Sequence, residues 1–154
     1  MKGLVVRKGQ GQSYETGPAL FKAGGGQTGG RYDFMIMDLE YHTGPQLHVH
    51  EQQEDTFFVL AGVLTVQLGD EVHELHPGDF ASAPPGLPHT FDNLVKDQGA
   101  VRVINLMTPG GYEGLFAEFD KLQSDPESPE ALALYAKYSA ALVGPTLREH
   151  LENR

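Results

Sequence analysis

The sequence predicts a mainly β, antiparallel domain that closes into a sandwich or barrel and ends in a short α-helical tail. Three observations predict it. Short β-prone runs follow one another between residues 32 and 107, turn-forming residues punctuate them, and beyond Thr108 the apolar period changes from strand-like to helical. At 154 residues the chain is long enough for one domain with a core of its own, and its 19 glycines and 10 prolines suit a turn-rich architecture.

Residues 1–31 read as an N-terminal arm. Gly24-Gly25-Gly26-Gln27-Thr28-Gly29-Gly30 is loop-like, and one short strand at most is expected there. Residues 32–108 read as the β core. Its first run, 32–41, is apolar on both faces and reads as a strand buried on both sides. Further runs follow at 46–50, 56–61, 63–68, 71–75, 80–83, 89–93 and 101–107. The breaks are turn chemistry: Ala61-Gly62, Gly69-Asp70, His76-Pro77-Gly78-Asp79, Pro84-Pro85-Gly86 and Lys96-Asp97-Gln98-Gly99. Many short strands so separated point to an antiparallel sandwich or barrel. Residues 109–154 read as the helical tail. Leu115, Phe116, Phe119 and Leu122 repeat with helical spacing, as do Leu132, Leu134, Tyr135, Tyr138 and Leu142. Ser128 and Pro129 start the second helix as N-cap and first-turn residue, and Gly144-Pro145 is expected to stop it. A last short turn is expected at 147–151. The tail is expected to pack on the barrel or on a partner subunit, and with the open sheet edges it suggests a homodimer.

Charge and composition narrow the function. The formal net charge of −10 and the scattering of only 11 Lys and Arg argue against nucleic acid as a partner. They favour a neutral or aromatic small-molecule substrate over a highly anionic one. The absence of cysteine removes thiol catalysis, disulfides and thiolate ligands. No signal-peptide core and no apolar run near the roughly 20 residues needed to span a bilayer is present, so a cytoplasmic location and no membrane contact are expected. Gly24–Gly30 lacks the Lys-Ser/Thr ending of a phosphate loop, and Ser82 with His89 lacks a nucleophile elbow.

The chemistry concentrates in two segments. In Gly44-Pro45-Gln46-Leu47-His48-Val49-His50 the two imidazoles stand at i and i+2, so on a strand they share a face. In the second segment His89 opens a strand two residues beyond Pro84-Pro85-Gly86, a rigid corner that fixes its position. Any one of these histidines alone reads as an ordinary core or surface residue. Three of them with a carboxylate inside a β-fold make an open site for one divalent transition metal, Fe, Mn, Ni, Co, Cu or Zn. His73 and His76 do not share a strand face and sit among charged residues. They read as solvated, as do His42 and His150.

The two segments resemble the two motifs of the cupin superfamily. Gly44, His48-Val49-His50, Asp55 and Gly62 follow the order of the first motif, and Gly78, Pro84-Pro85-Gly86, His89 and Asn93 match the second position by position. The resemblance implies a double-stranded β-helix, or jelly-roll barrel, with metal ligands at His48, His50, Asp55 and His89. Asp55 stands where the family usually has Glu and is shorter by one methylene; Glu54 is the neighbouring alternative. Phe57-Phe58-Val59-Leu60-Ala61-Gly62 and the tail around Tyr138 to Leu147 resemble small single-domain bacterial cupins described as quercetin dioxygenase-like. That implies oxidative cleavage of a small aromatic or enol substrate, with Asp55 as both ligand and general base. Lewis-acid isomerase, epimerase or lyase chemistry and non-catalytic small-molecule binding are the alternatives on the same scaffold. Strand parity turns Gln46, Phe57, Val59 and Phe91 toward the same interior and nominates them as substrate-binding.

Overall fold

The computed structural model describes residues 2–154. The elements are β1 (Gln12–Ser13), β2 (Ala19–Ala23), the short helix α1 (Gly25–Thr28), β3 (Asp33–Leu39), β4 (Gln46–His50), β5 (Glu54–Ala61), β6 (Leu64–Leu68) and β7 (Glu71–Leu75). They continue with β8 (Phe80–Ala83), β9 (His89–Asp92), β10 (Val101–Thr108), α2 (Glu113–Leu122), α3 (Pro129–Lys137), β11 (Ala140–Thr146) and α4 (Leu147–Glu152). Two sheets enclose one core. One runs β1-β2-β3-β10-β5-β8 and the other β11-β4-β9-β6-β7, with every named pairing antiparallel. Among the described residues no helix is long and apolar enough to cross a membrane.

The core follows strand parity. On β5, Asp55, Phe57 and Val59 are buried while Glu54, Phe58 and Leu60 are exposed. On β10, Val101, Val103, Asn105 and Met107 alternate inward. Leu64, Val66 and Phe91 answer from the second sheet, and the Phe57 and Phe91 rings stand 5.0 Å apart across the interior. Interdigitated side chains of this kind fill a small barrel and exclude water from its centre.

Three expectations are corrected. The N-terminal arm holds two strands and a helical turn, and Phe21 on β2 belongs to the core, packed against Phe116 of α2 at 5.2 Å. Glycine content hid this, because the strand has only the short apolar signature Ala19-Leu20-Phe21. The run 32–41 forms a strand at 33–39 that buries one face only: Asp33, Met35, Met37 and Leu39 point inward, and Asp38 is exposed and paired with Arg102 of β10 at 2.7 Å. The second tail helix ends at Lys137, with Ser139 in a left-handed conformation (φ 55°), and Leu142 lies in β11. Gly144-Pro145 therefore sits inside an edge strand, where a missing N–H is tolerated. The pairing Ala140↔His50, Ala141↔Val49 and Leu142↔His48 overrides the helical period.

The tail packs on its own barrel. Leu115, Phe119, Ala131 and Ala140 are buried in the common core, while Leu132 remains exposed. Asp33, fully buried at the start of β3, accepts hydrogen bonds from the Gly111 and Glu113 amides and so fixes where α2 begins.

Candidate metal centre

β4 and β9 are neighbours in one sheet with His48 opposite His89, and the loop after β4 carries the chain across to β5 in the other sheet. His48 and His50 share an inner face of β4, as the i, i+2 spacing requires. Pro84-Pro85-Gly86 makes the return from β8 to β9. Gly86 takes the positive φ the corner needs (84°) and its amide bonds the His50 carbonyl at 2.8 Å. The corner that delivers His89 is thereby tied to the strand that carries His50.

His48, His50, Asp55 and His89 converge: one ligand-type atom from each lies within 4.8 Å of all the others. Asp55 Oδ2 stands 3.2 Å from His89 Nε2 and 3.6 Å from His50 Nε2. His50, Asp55 and His89 are buried, and His48 is half-buried. His48 Nδ1 and His89 Nδ1 each lie 2.8 Å from a backbone carbonyl, of Gln46 and Leu87 respectively. A carbonyl only accepts, so both Nδ1 atoms carry the proton and both Nε2 atoms face the cluster. This is the outer-shell arrangement that orients metal-binding imidazoles. His50 Nδ1 is buried without a partner, and its ring lies 4.6 Å from Tyr112 in edge geometry.

Electrostatics favour a cation here. Burial pushes the Asp55 carboxyl up, but hydrogen bonds and charge from His50 and His89 outweigh it and hold the group ionised, below the usual carboxylate range. Burial, with repulsion from His89 and His50, drives His48 down to about 3, so its imidazole is neutral and its lone pair free. Burial also disfavours the charged His89, yet its hydrogen bond to Asp55 raises it overall. Three imidazoles and one carboxylate, with two imidazoles already oriented, are a donor set that fits a transition metal.

The sequence-nominated residues take different places. Glu54 is exposed on the opposite face of β5 and accepts a hydrogen bond from Ser82, so Asp55 is the carboxylate at the cluster. The Phe57 ring is 6.4 Å from His89 and packs on Phe91, and Val59 lies deeper in the core. The Gln46 side chain, expected in the interior, instead donates to exposed Glu127 at 2.6 Å in a surface groove of about 730 Å³ lined by Leu132, Leu142 and Glu149, a groove to which none of the four cluster residues contributes. His73 and His76 are exposed, while His42 and His150 are half-buried away from the cluster. Two residues at the site had no motif to reveal them. Asn105 of β10 donates its amide to Asp55 Oδ1, and Tyr112 covers His50 from the entry of α2. Inward parity on 101–107 was the one signal available for Asn105.

A β-barrel with three histidines and a carboxylate gathered on its inner wall defines the class. Residues 35–107 match the cupin domain family, and the chain is a small cupin protein. It is similar to the quercetin 2,3-dioxygenase of Bacillus subtilis (strain 168), with 26% identity over 114 residues, covering 73% of this chain and 33% of that protein. The chain thus spans about a third of that relative's length. Among solved structures it resembles KdgF from Halomonas sp., with a TM-score of 0.61 and 21% identity, covering 74% of this chain and 99% of that one. It also resembles a Klebsiella pneumoniae protein with a double-stranded β-helix domain, with a TM-score of 0.53 and 20% identity, over 66% and 84% of the two chains. At those identities the structural likeness is one of fold.

Proposed function

We propose that this cupin is a metal-dependent oxidoreductase of dioxygenase type acting on a small aromatic or enol substrate. The observation that carries the reading is the cluster itself, three imidazoles and an ionised carboxylate with their donor atoms turned to one point. Similarity to a quercetin 2,3-dioxygenase supports the oxidative direction. A divalent transition metal held by His48, His50, Asp55 and His89 would supply open coordination positions for a substrate oxygen and for O2. The chain's own residues supply the rest. Phe57 and Phe91 form an aromatic wall beside His89, with Val59 behind them, that would keep water out and suit a flat substrate. Asp55 would be the carboxylate that accepts a proton from a substrate hydroxyl.

The test is elemental mass spectrometry on untagged, chelator-free protein beside the His48→Ala/His89→Ala variant. Near one equivalent of Fe, Mn, Ni, Co or Cu, lost in the variant, is expected, followed by O2 consumption with aromatic diols. One equivalent of Zn would replace the oxidative reading with Lewis-acid chemistry, and no metal bound or taken up would overturn both.

We also infer that two copies pair. With the helical tail packed on its own barrel, support comes from the outer face of the first sheet. There Phe58 and Phe80 are register partners and exposed, next to exposed Leu60 and half-buried Ile104.

A further inference from the structure

Asp55 has two carboxylate oxygens, and the structure treats them differently. Oδ2 faces His89 Nε2 at 3.2 Å and His50 Nε2 at 3.6 Å. Oδ1 accepts a hydrogen bond from Asn105 Nδ2. The same Nδ2 donates to the Thr56 carbonyl at 2.9 Å. Both neighbours of that nitrogen are acceptors only, so chemistry alone sets the amide orientation, with both N–H groups engaged. Asn105 is 5% exposed, and it is held by strand register: opposite Phe57 on β5, two positions from the Met107↔Asp55 pair. Register therefore fixes the backbone position from which the amide reaches Asp55.

We propose that Asn105 is a positioning residue for the metal centre: by holding Oδ1 it leaves Oδ2 as the single carboxylate oxygen presented to the three imidazoles. This rests on the metal reading above. A carboxylate free to rotate would present either oxygen or both. A carboxylate held at one oxygen presents the other alone, and rotating it costs a buried hydrogen bond.

Co(II) alone is the probe, titrated into wild type, Asn105→Leu, Asn105→Ala and Val103→Ala, following affinity and the visible spectrum. Val103 is a buried core residue on the same strand, so its truncation measures the effect of loosening β10 without removing the donor. The expected result is a loss of about 10- to 100-fold in Co(II) affinity for both Asn105 variants with an altered d–d spectrum, as is usual when an outer-shell partner is removed. Val103→Ala should lower thermal stability and leave both readouts as in wild type. Asn105 variants that bind Co(II) within twofold of wild type and with its spectrum overturn the proposal, and so does an equal loss in Val103→Ala. A wild type that takes up no Co(II) overturns the metal reading and, with it, this inference. Should neither Asn105 variant fold, the wild-type Asn105 side-chain amide carries the test in 15N-edited NMR. Slow exchange with solvent and a shift on Zn(II) addition support the proposal; fast exchange with no shift overturns it.

Discussion

Four side chains gather at one point because two strand positions and one corner are fixed by local chemistry. His48 and His50 are legible from their spacing alone, and His89 from the Pro-Pro-Gly corner before it. Asp55 is legible only through its resemblance to a motif, since it lies on the opposite sheet. Asn105 and Tyr112 are illegible: Asn105 is 50 positions from Asp55 in sequence, and only register brings them together. A pH prediction belongs at this scale. His48 is held down to about 3 in the fold, against about 6.5 in an unfolded chain. Between those values the unfolded chain binds a proton that the folded chain refuses, so metal-free stability falls as pH drops through that window. His89, raised by Asp55, acts in the opposite sense: its contribution is present below its unfolded value and lost as pH rises through the folded one. Denaturant midpoints in chelator at pH 7 and pH 4.5 should therefore fall further for wild type than for His48→Gln, whose amide does not titrate.

At the scale of elements, most of the β core is readable because period-2 alternation and turn residues are both local signals. The tail is readable only in part. α3 begins where Ser128 and Pro129 dictate, the Ser128 hydroxyl accepting from the Ala131 amide. It ends early because 140–142 finds a hydrogen-bonding partner in β4, and no short-range pattern encodes that choice. The outcome bears on the site: β11 covers the edge of the strand that carries His48 and His50. Asp33 secures the other end of the tail. Asp33→Ala would leave the part-buried Gly111 and Glu113 amides without the charged acceptor that Asp33 supplies. The expected cost is about 1.5–3 kcal/mol, read as a lower urea midpoint with unchanged slope. Metal uptake measured on the same variant should fall only if Tyr112, one residue from those amides, moves off His50.

Taken whole, the molecule presents two unlike surfaces. It carries a formal charge of −10, yet the outer face of the β2-β3-β10-β5-β8 side exposes Phe58, Leu60 and Phe80 around one Arg102–Asp38 pair. An exposed aromatic row on an otherwise charged protein is what a self-pairing surface requires. Light scattering after size exclusion should give a mass near twice the 16.8 kDa chain, and Phe80→Lys should bring it to one chain without loss of metal. A single-chain mass for wild type would remove the pairing.

What the sequence determined by itself is the material of the site and the class of fold. Strand alternation, turn residues and the His48, His50 and His89 positions are set by interactions a few residues long, and these survive in any context the chain folds into. What only the tertiary structure decided is everything that depends on contacts distant in sequence. Those contacts select Asp55 over Glu54, bring Asn105 to its carboxylate, make a strand of 140–146 and recruit Phe21 to the core. The reason is physical. A backbone segment with balanced local preferences takes the conformation in which its hydrogen bonds and apolar surface are satisfied, and the partners that satisfy them are chosen by sheet register.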